Sequence, residues 1–230
     1  MRRPGRWGAL GLVTGIAAFA ATGVLAWAHA GSSGVLKLPL APLSQIGRVR
    51  PATTGPIGPE GVPIPAAAAL APVRPLEDGQ RIDGISCQAG EAVLFHIHAH
   101  LTIFVHGGPR QVPAGIGIAP PLEVEKTPVG DFVASATCFM WLHTHSADGI
   151  IHAESPVKRI YTLGNFFDIW GQPLNRDRVG PTHGIVTALF NGHVFTGNPR
   201  DIPLLGHAQI QLDVGQPLTA PEHITFPRGL

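Results

Sequence analysis

The stretch FHIHAHLTIFVHG, from Phe95 to Gly107, places a histidine at every second position for five residues. Side chains of a β-strand alternate between its two faces. His96, His98 and His100 should therefore share one face, and the residues between them should form an apolar face. The stretch predicts a strand with one apolar face and one face of imidazoles.

A second histidine run, HTHSADGIIHAE, ends at Glu154. Its Asp-Gly pair favours a tight turn between two short strands. With a four-residue loop, His143 lies opposite His152. A register that pairs Ala147 with Ile150 places His145 opposite His152 instead. A three-residue loop would put these side chains on different faces. Both even registers place four side chains on one face: His143, His145, His152 and Glu154.

The two histidine rows predict a transition-metal site. Several imidazoles on one face are costly to bury without partners, and they are natural ligands for zinc, copper, iron or nickel. We expect copper or zinc here. Glu154 or Asp148 can complete the ligand set, orient it or act as a general base. The predicted ligands are His96, His98, His143 and His145, followed by His100 and His152.

The N-terminal residues predict export. Three arginines precede an uncharged apolar segment from Trp7 to Ala28, which is long enough to span a bilayer. Residues 1–30 are expected to be a transmembrane anchor with a cytoplasmic N-terminus, because a cleaved signal peptide has a shorter apolar core. Cleavage after Ala30 would instead release the protein. In either case the rest of the chain is extracytoplasmic.

Composition limits the other partners. Only 13% of the residues are charged, and the formal net charge is +1. No basic patch interleaved with aromatic residues is present, so nucleic acid is not expected as a partner. In an exported protein the two cysteines, Cys87 and Cys138, are expected to form a disulfide; thiolate ligation of a soft metal is the alternative.

Proline and glycine divide the chain. Residues 31–77 are rich in Pro, Ala and Gly and lack a sustained period, so they predict a flexible tether. Residues 78–230 should form one His-rich, mostly β domain of roughly seven strands, a sandwich or open barrel. Asn191-Gly192 predicts a hairpin turn. One short helix should start after Thr162 and end before Gly171.

Three phrases together resemble a family of uncharacterised exported proteins of bacteria and archaea. They are HAHLTIFVHG, WLHTHSADGIIHAESP and YTLGNFFDIWG, and the resemblance covers Ile85 to Val214. It implies a membrane-anchored, exported protein, and it implies no activity.

Three functions remain open on the sequence. The first is a membrane-tethered extracytoplasmic protein that binds copper or zinc. The second is a metalloenzyme, a hydrolase or oxidoreductase, built on the same histidines. The third is an interaction domain in which the histidines are structural.

Overall fold

β-Strands are the main regular secondary structure of the protein, whose computed structural model describes residues 36–50, 55–92 and 94–230. The one α-helix of the described part is α1 (Leu163–Trp170), and two 3-10 turns cover Leu43–Ile46 and Pro199–Asp201. The strands are β1 (Leu40–Ala41), β2 (Val49–Arg50), β3 (Arg81–Ile82), β4 (Ile85–Gln88), β5 (Phe95–Val105), β6 (Gly108–Arg110), β7 (Ile118–Thr127), β8 (Gly130–Met140), β9 (Leu142–His143), β10 (Ile150–Ser155), β11 (Tyr161–Thr162), β12 (Leu174–Asn175), β13 (Arg178–Val179), β14 (Thr182–His183), β15 (Val186–Phe190), β16 (His193–Phe195), β17 (Pro203–Leu204), β18 (Gln209–Val214) and β19 (Leu218–Thr219).

An eight-stranded sheet is the largest element, with the order β1-β16-β15-β18-β5-β10-β9 and with β6 also paired to β5. Its interior strand β5 is the first histidine strand. β10 pairs with β5 antiparallel along the Phe95–His100 half, and β18 pairs with it in parallel from His100 onward. The histidines of β5 therefore lie where β10, the second histidine strand, is its neighbour.

The two faces of β5 have the predicted character. Ala99, Leu101 and Ile103 are buried in the main hydrophobic core, which also contains the aromatic residues of α1. The histidines occupy the opposite face of β5.

The helix α1 is capped at both ends. The side chain of its N-cap residue, Thr162, accepts a hydrogen bond from Asn165 N, and its C-cap residue, Gly171, has the left-handed conformation.

Residues 55–77, which the sequence assigns to a tether, pack on the domain in the structure. Val62, Ile64 and Leu70 are buried there. Val62 and Ile224 form a small apolar cluster with Ile150 of β10. Because Ile150 lies directly opposite His100, this cluster covers the histidine face of the sheet. The compact unit starts at Lys37 rather than near Asp78.

A second sheet has the order β3-β4-β8-β7. Its long hairpin, β7–β8, was not predicted, since most of its side chains are polar or exposed and it contains Pro120-Pro121. The predicted disulfide joins Cys87 of β4 to Cys138 of β8. Both cysteines are buried, so the bond anchors the strand that leads into β9.

The mostly β prediction is confirmed, and so is the short helix. The strands form several sheets and no closed barrel among the described residues, and seven strands was too low a number. Asn191 and Gly192 have the positive φ angles of the predicted hairpin turn between β15 and β16. The predicted anchor, residues 1–30, lies outside the described residues. Within them no helix is long and apolar enough to cross a bilayer.

Candidate metal centre

Strand register brings the two histidine rows together. His152 of β10 lies opposite His98 of β5 on one side and opposite His143 of β9 on the other. His96 lies opposite Glu154 in the next pair of the same face. Cross-strand neighbours on one face are close enough for direct contact. The result is a row of three imidazoles across three strands.

Four of these side chains make up the group that we call the ladder group: His96, His98, His152 and Glu154. Their ligand atoms all lie within 4.8 Å of one another. His98 Nε2 is 3.1 Å from His96 Nε2 and 3.1 Å from His152 Nδ1. Glu154 Oε1 lies 3.0 Å from His96 Nε2. Three nitrogens and one carboxylate oxygen thus point into one small volume.

Protonation in the ladder group is set by burial and by carboxylates. Burial, with the charges of neighbouring histidines, lowers the pKa of His98 to about 3. For His152 burial also acts downward, but hydrogen bonds to Glu154 and Glu60 outweigh it and raise the pKa to about 9. A metal ion at His152 Nδ1 would displace a proton from that atom.

Glu60 orients His152 from the other side of the ring. Its Oε1 accepts a 2.7 Å hydrogen bond from His152 Nε2, and its side chain is only 4% exposed. A carboxylate on the outer nitrogen of a metal-binding imidazole fixes the ring and raises its basicity. Glu60 therefore leaves His152 Nδ1 as the ring nitrogen that could bind a metal ion.

A second cluster, the loop group, consists of Glu91, His143 and His145. Glu91 lies in the loop before β5, and His145 follows β9. Gly117 lets the chain pass closely behind His143, since a Cβ there would lie 2.2 Å from Leu142 O. Glu91 Oε1 is 3.2 Å from His145 Nε2 and 3.9 Å from His143 Nε2.

Backbone carbonyls fix the tautomers of the loop group. His143 Nδ1 donates to Met140 O at 2.9 Å, and His145 Nδ1 donates to Val133 O at 2.6 Å. A carbonyl oxygen can only accept, so both Nδ1 atoms carry protons. In the neutral form of each ring the proton-free nitrogen is Nε2. The two Nε2 atoms face each other at 3.0 Å.

Two imidazole lone pairs at this distance repel unless a cation lies between them. Burial, with the charges of His152 and His145, lowers the pKa of His143 well below its usual value. A proton shared by the two Nε2 atoms, or a metal ion bound to both, would remove this repulsion. Nitrogens about 2.0–2.1 Å from a tetrahedral zinc ion lie about 3.3 Å apart. The nitrogen–nitrogen contacts within each of the two clusters, at 3.0–3.1 Å, are slightly shorter than this spacing, so a small movement of the rings would admit an ion.

His100 and Asp148 take other roles. His100 Nε2 donates to Asp148 O at 2.9 Å, and His100 is in none of the ligand groups of the described residues. Burial lowers its pKa to about 4. Burial and the charge of Glu60 raise the pKa of Asp148 to about 8, so this carboxyl group holds its proton at neutral pH.

Sequence reasoning did not find Glu60 and Glu91. Glu60 lies in the predicted tether, and Glu91 in the loop between Cys87 and His96. A signal was present for Glu60, because it is the only charged residue between Arg50 and Arg74. An isolated carboxylate in an apolar, proline-rich segment favours a buried polar contact.

Solvent reaches the ladder group from one side. A cavity of about 280 Å³ is lined by His96, His98 and His207, among others. The His96 side chain is 40% exposed, whereas His143 is fully buried. A ligand position of the ladder group can therefore be approached by a small molecule.

No protein-family model matches this chain, and comparisons with curated proteins and with solved structures find no significant relative. The geometry of the site itself shows histidine clusters that could hold a metal ion.

Proposed function

We propose that the protein is a membrane-anchored, extracytoplasmic binder of copper or zinc. The observation that carries the proposal is the facing pair of Nε2 atoms of His143 and His145, whose outer nitrogens are both fixed by backbone carbonyls. Held imidazoles with inward lone pairs are the arrangement that metal ligands require.

The donor set favours copper or zinc over other ions. It consists of imidazole nitrogens and carboxylate oxygens, since both cysteines are in the disulfide and provide no thiolate. Imidazole suits zinc and copper, whereas magnesium and calcium prefer oxygen ligands. Four-coordinate sets of this size fit zinc, and nitrogen-rich sets fit copper(II).

The location rests on separate observations. Residues 7–28 have the length and apolarity of a membrane span, and arginines precede them. The Cys87–Cys138 disulfide supports an oxidising compartment. The resemblance to exported proteins points the same way.

The test is elemental analysis of the full chain, isolated without a histidine tag and dialysed after incubation with copper or zinc. The wild-type protein should retain at least one ion. The His98→Ala/His143→Ala double variant, which removes a ligand from each group, should retain none. The matched control is His183→Ala/His193→Ala, because both of these histidines are exposed and lie outside the groups.

Circular dichroism of the double variant separates a lost ligand from a lost fold. His96→Gln and Glu91→Gln, both at exposed positions, give variants expected to fold as the wild type does. A wild-type protein without metal after both incubations would overturn the proposal and leave an interaction domain with structural histidines.

A metalloenzyme is the second candidate, and the cavity at His96 and His98 favours it. The cavity gives a substrate access to the ion, as catalytic metal sites require. Asp148 and Glu154 are weak candidates for its general base, because the first holds its proton and the second pairs with His96 and His152. Hydrolysis of p-nitrophenyl acetate by the zinc-loaded chain, and oxidation of a phenol by the copper-loaded chain, test this candidate. Equal turnover by His96→Gln would contradict it.

A further inference from the structure

We propose that the site holds two metal ions, one in the ladder group and one in the loop group, with the Glu154 carboxylate between them. This inference rests on the proposed function. It goes beyond it in the number of ions and in the role of each ligand.

Two groups are needed because the donors are too many and too spread for one ion. A structural zinc ion takes four ligands as a rule. The two groups offer seven side chains, and among the described residues no set within mutual reach contains them all. The three sets instead overlap in pairs, at His143, His152 and Glu154. His152 belongs to the ladder group and also to a set with His143 and His145. Glu154 belongs to the ladder group and also to a set with Glu91 and His143.

Glu154 has the geometry of a bridging carboxylate. Its Oε1 contacts His96 Nε2 and His152 Nδ1, at 3.0 and 3.3 Å. Its Oε2 is buried and has no hydrogen-bond partner among the described residues. A buried oxygen without a partner is rare in a folded protein, and it points to a ligand at that atom. A carboxylate with one oxygen on each ion can bridge two metal ions about 3.5–4 Å apart, which is the usual separation in two-metal sites.

The two positions differ in chemistry. The ladder group offers three imidazoles and one carboxylate, whereas the loop group offers two imidazoles, the half-exposed Glu91 and a share of Glu154. Copper and zinc bind imidazole more strongly than isolated carboxylate oxygen. The ladder position should therefore fill first.

The test is a titration of the metal-stripped full chain with zinc and, separately, with copper(II), followed by calorimetry and by elemental analysis. The wild-type protein should bind two ions in two steps. Glu91→Gln should bind one ion at the tighter step, and His96→Gln should lose that tighter step. The control variant His183→Gln should bind two. Loading with copper(II) should give the electron paramagnetic resonance signal of two coupled ions in the wild-type protein and of an isolated ion in Glu91→Gln.

The outcomes separate this inference from the proposed function. One ion in the wild-type protein, unchanged in Glu91→Gln and lost in His96→Gln, would overturn the two-ion inference and keep the metal-binding function. No ion in any variant would overturn both. Two ions with an uncoupled copper signal would place the second ion elsewhere and contradict a bridging Glu154.

Discussion

The ladder group and the loop group show two ways in which a chain can assemble ligands. Ladder ligands come from paired strands, so their positions follow from register alone, and His98 meets His152 because they are opposite. Loop ligands come from a strand end and from loops, and hydrogen bonds to Met140 and Val133 hold them in place. Periodicity fixes the first group, and tertiary contacts fix the second.

Replacing His152 should have the largest effect, because this residue links the two groups. His152→Ala leaves the buried carboxylates of Glu60 and Glu154 without their partner. Removing one member of a buried charged set costs about 3–5 kcal/mol of the free energy of unfolding. Urea unfolding at pH 7 measures the loss. The control His183→Ala should change stability by about 0.5 kcal/mol or less, and a similarly small change in His152→Ala would contradict its central position.

Removing the disulfide should separate the two groups. Cys87→Ala/Cys138→Ala should lower the free energy of unfolding by about 2–4 kcal/mol. It should also loosen the loop group more than the ladder group, since Cys138 precedes Met140, whose carbonyl oxygen accepts from His143. The His96→Gln variant keeps the loop group intact, and the Glu91→Gln variant keeps the ladder group intact. Removing the disulfide should therefore lower the zinc affinity more in the His96→Gln variant than in the Glu91→Gln variant. Equal falls would show that the disulfide does not support the loop group.

His100 sharpens the comparison, because it continues the histidine row and belongs to neither group. Its pKa is about 4 in the folded chain against 6.5 for the unperturbed side chain, so the unfolded chain binds the proton first. As pH falls from 6.5 to 4, this residue should lower the free energy of unfolding, at about 1.4 kcal/mol for each unit of pKa difference. Above pH 6.5 the penalty is absent.

The measurement compares wild type with His100→Gln, whose amide can donate to Asp148 O. The difference between their free energies of unfolding should shift by about 3 kcal/mol between pH 7 and pH 4, in favour of the variant at low pH. A difference that stays constant over this range would show that His100 is not buried in its neutral form.

The sequence predicted the features that depend on neighbours along the chain. Alternation placed three histidines of β5 on one face, Asn191-Gly192 marked a hairpin turn, and Thr162 capped α1. These signals are local, because a strand, a two-residue turn and a helix cap need only a few adjacent residues.

The missed features depend on contacts between distant residues. The parallel pairing of β5 with β18 joins residues more than a hundred positions apart. Val62 and Ile64 are buried although their segment shows no strand or helix period, because prolines let it lie on the histidine face as irregular chain. Glu60 reaches His152 through that packing alone. The local sequence marks Glu60 as an isolated charge, but it does not identify the residue that Glu60 contacts.

The most direct test of the account is a crystal structure of the full chain loaded with zinc or copper, with anomalous diffraction recorded at the metal absorption edge. We expect an anomalous peak about 2.0–2.2 Å from the Nε2 atoms of His143 and His145, and a second within the same distance of His98 Nε2 and His152 Nδ1. Fully loaded crystals with no peak at either group, and with a proton bridging the two Nε2 atoms in a neutron map, would contradict it.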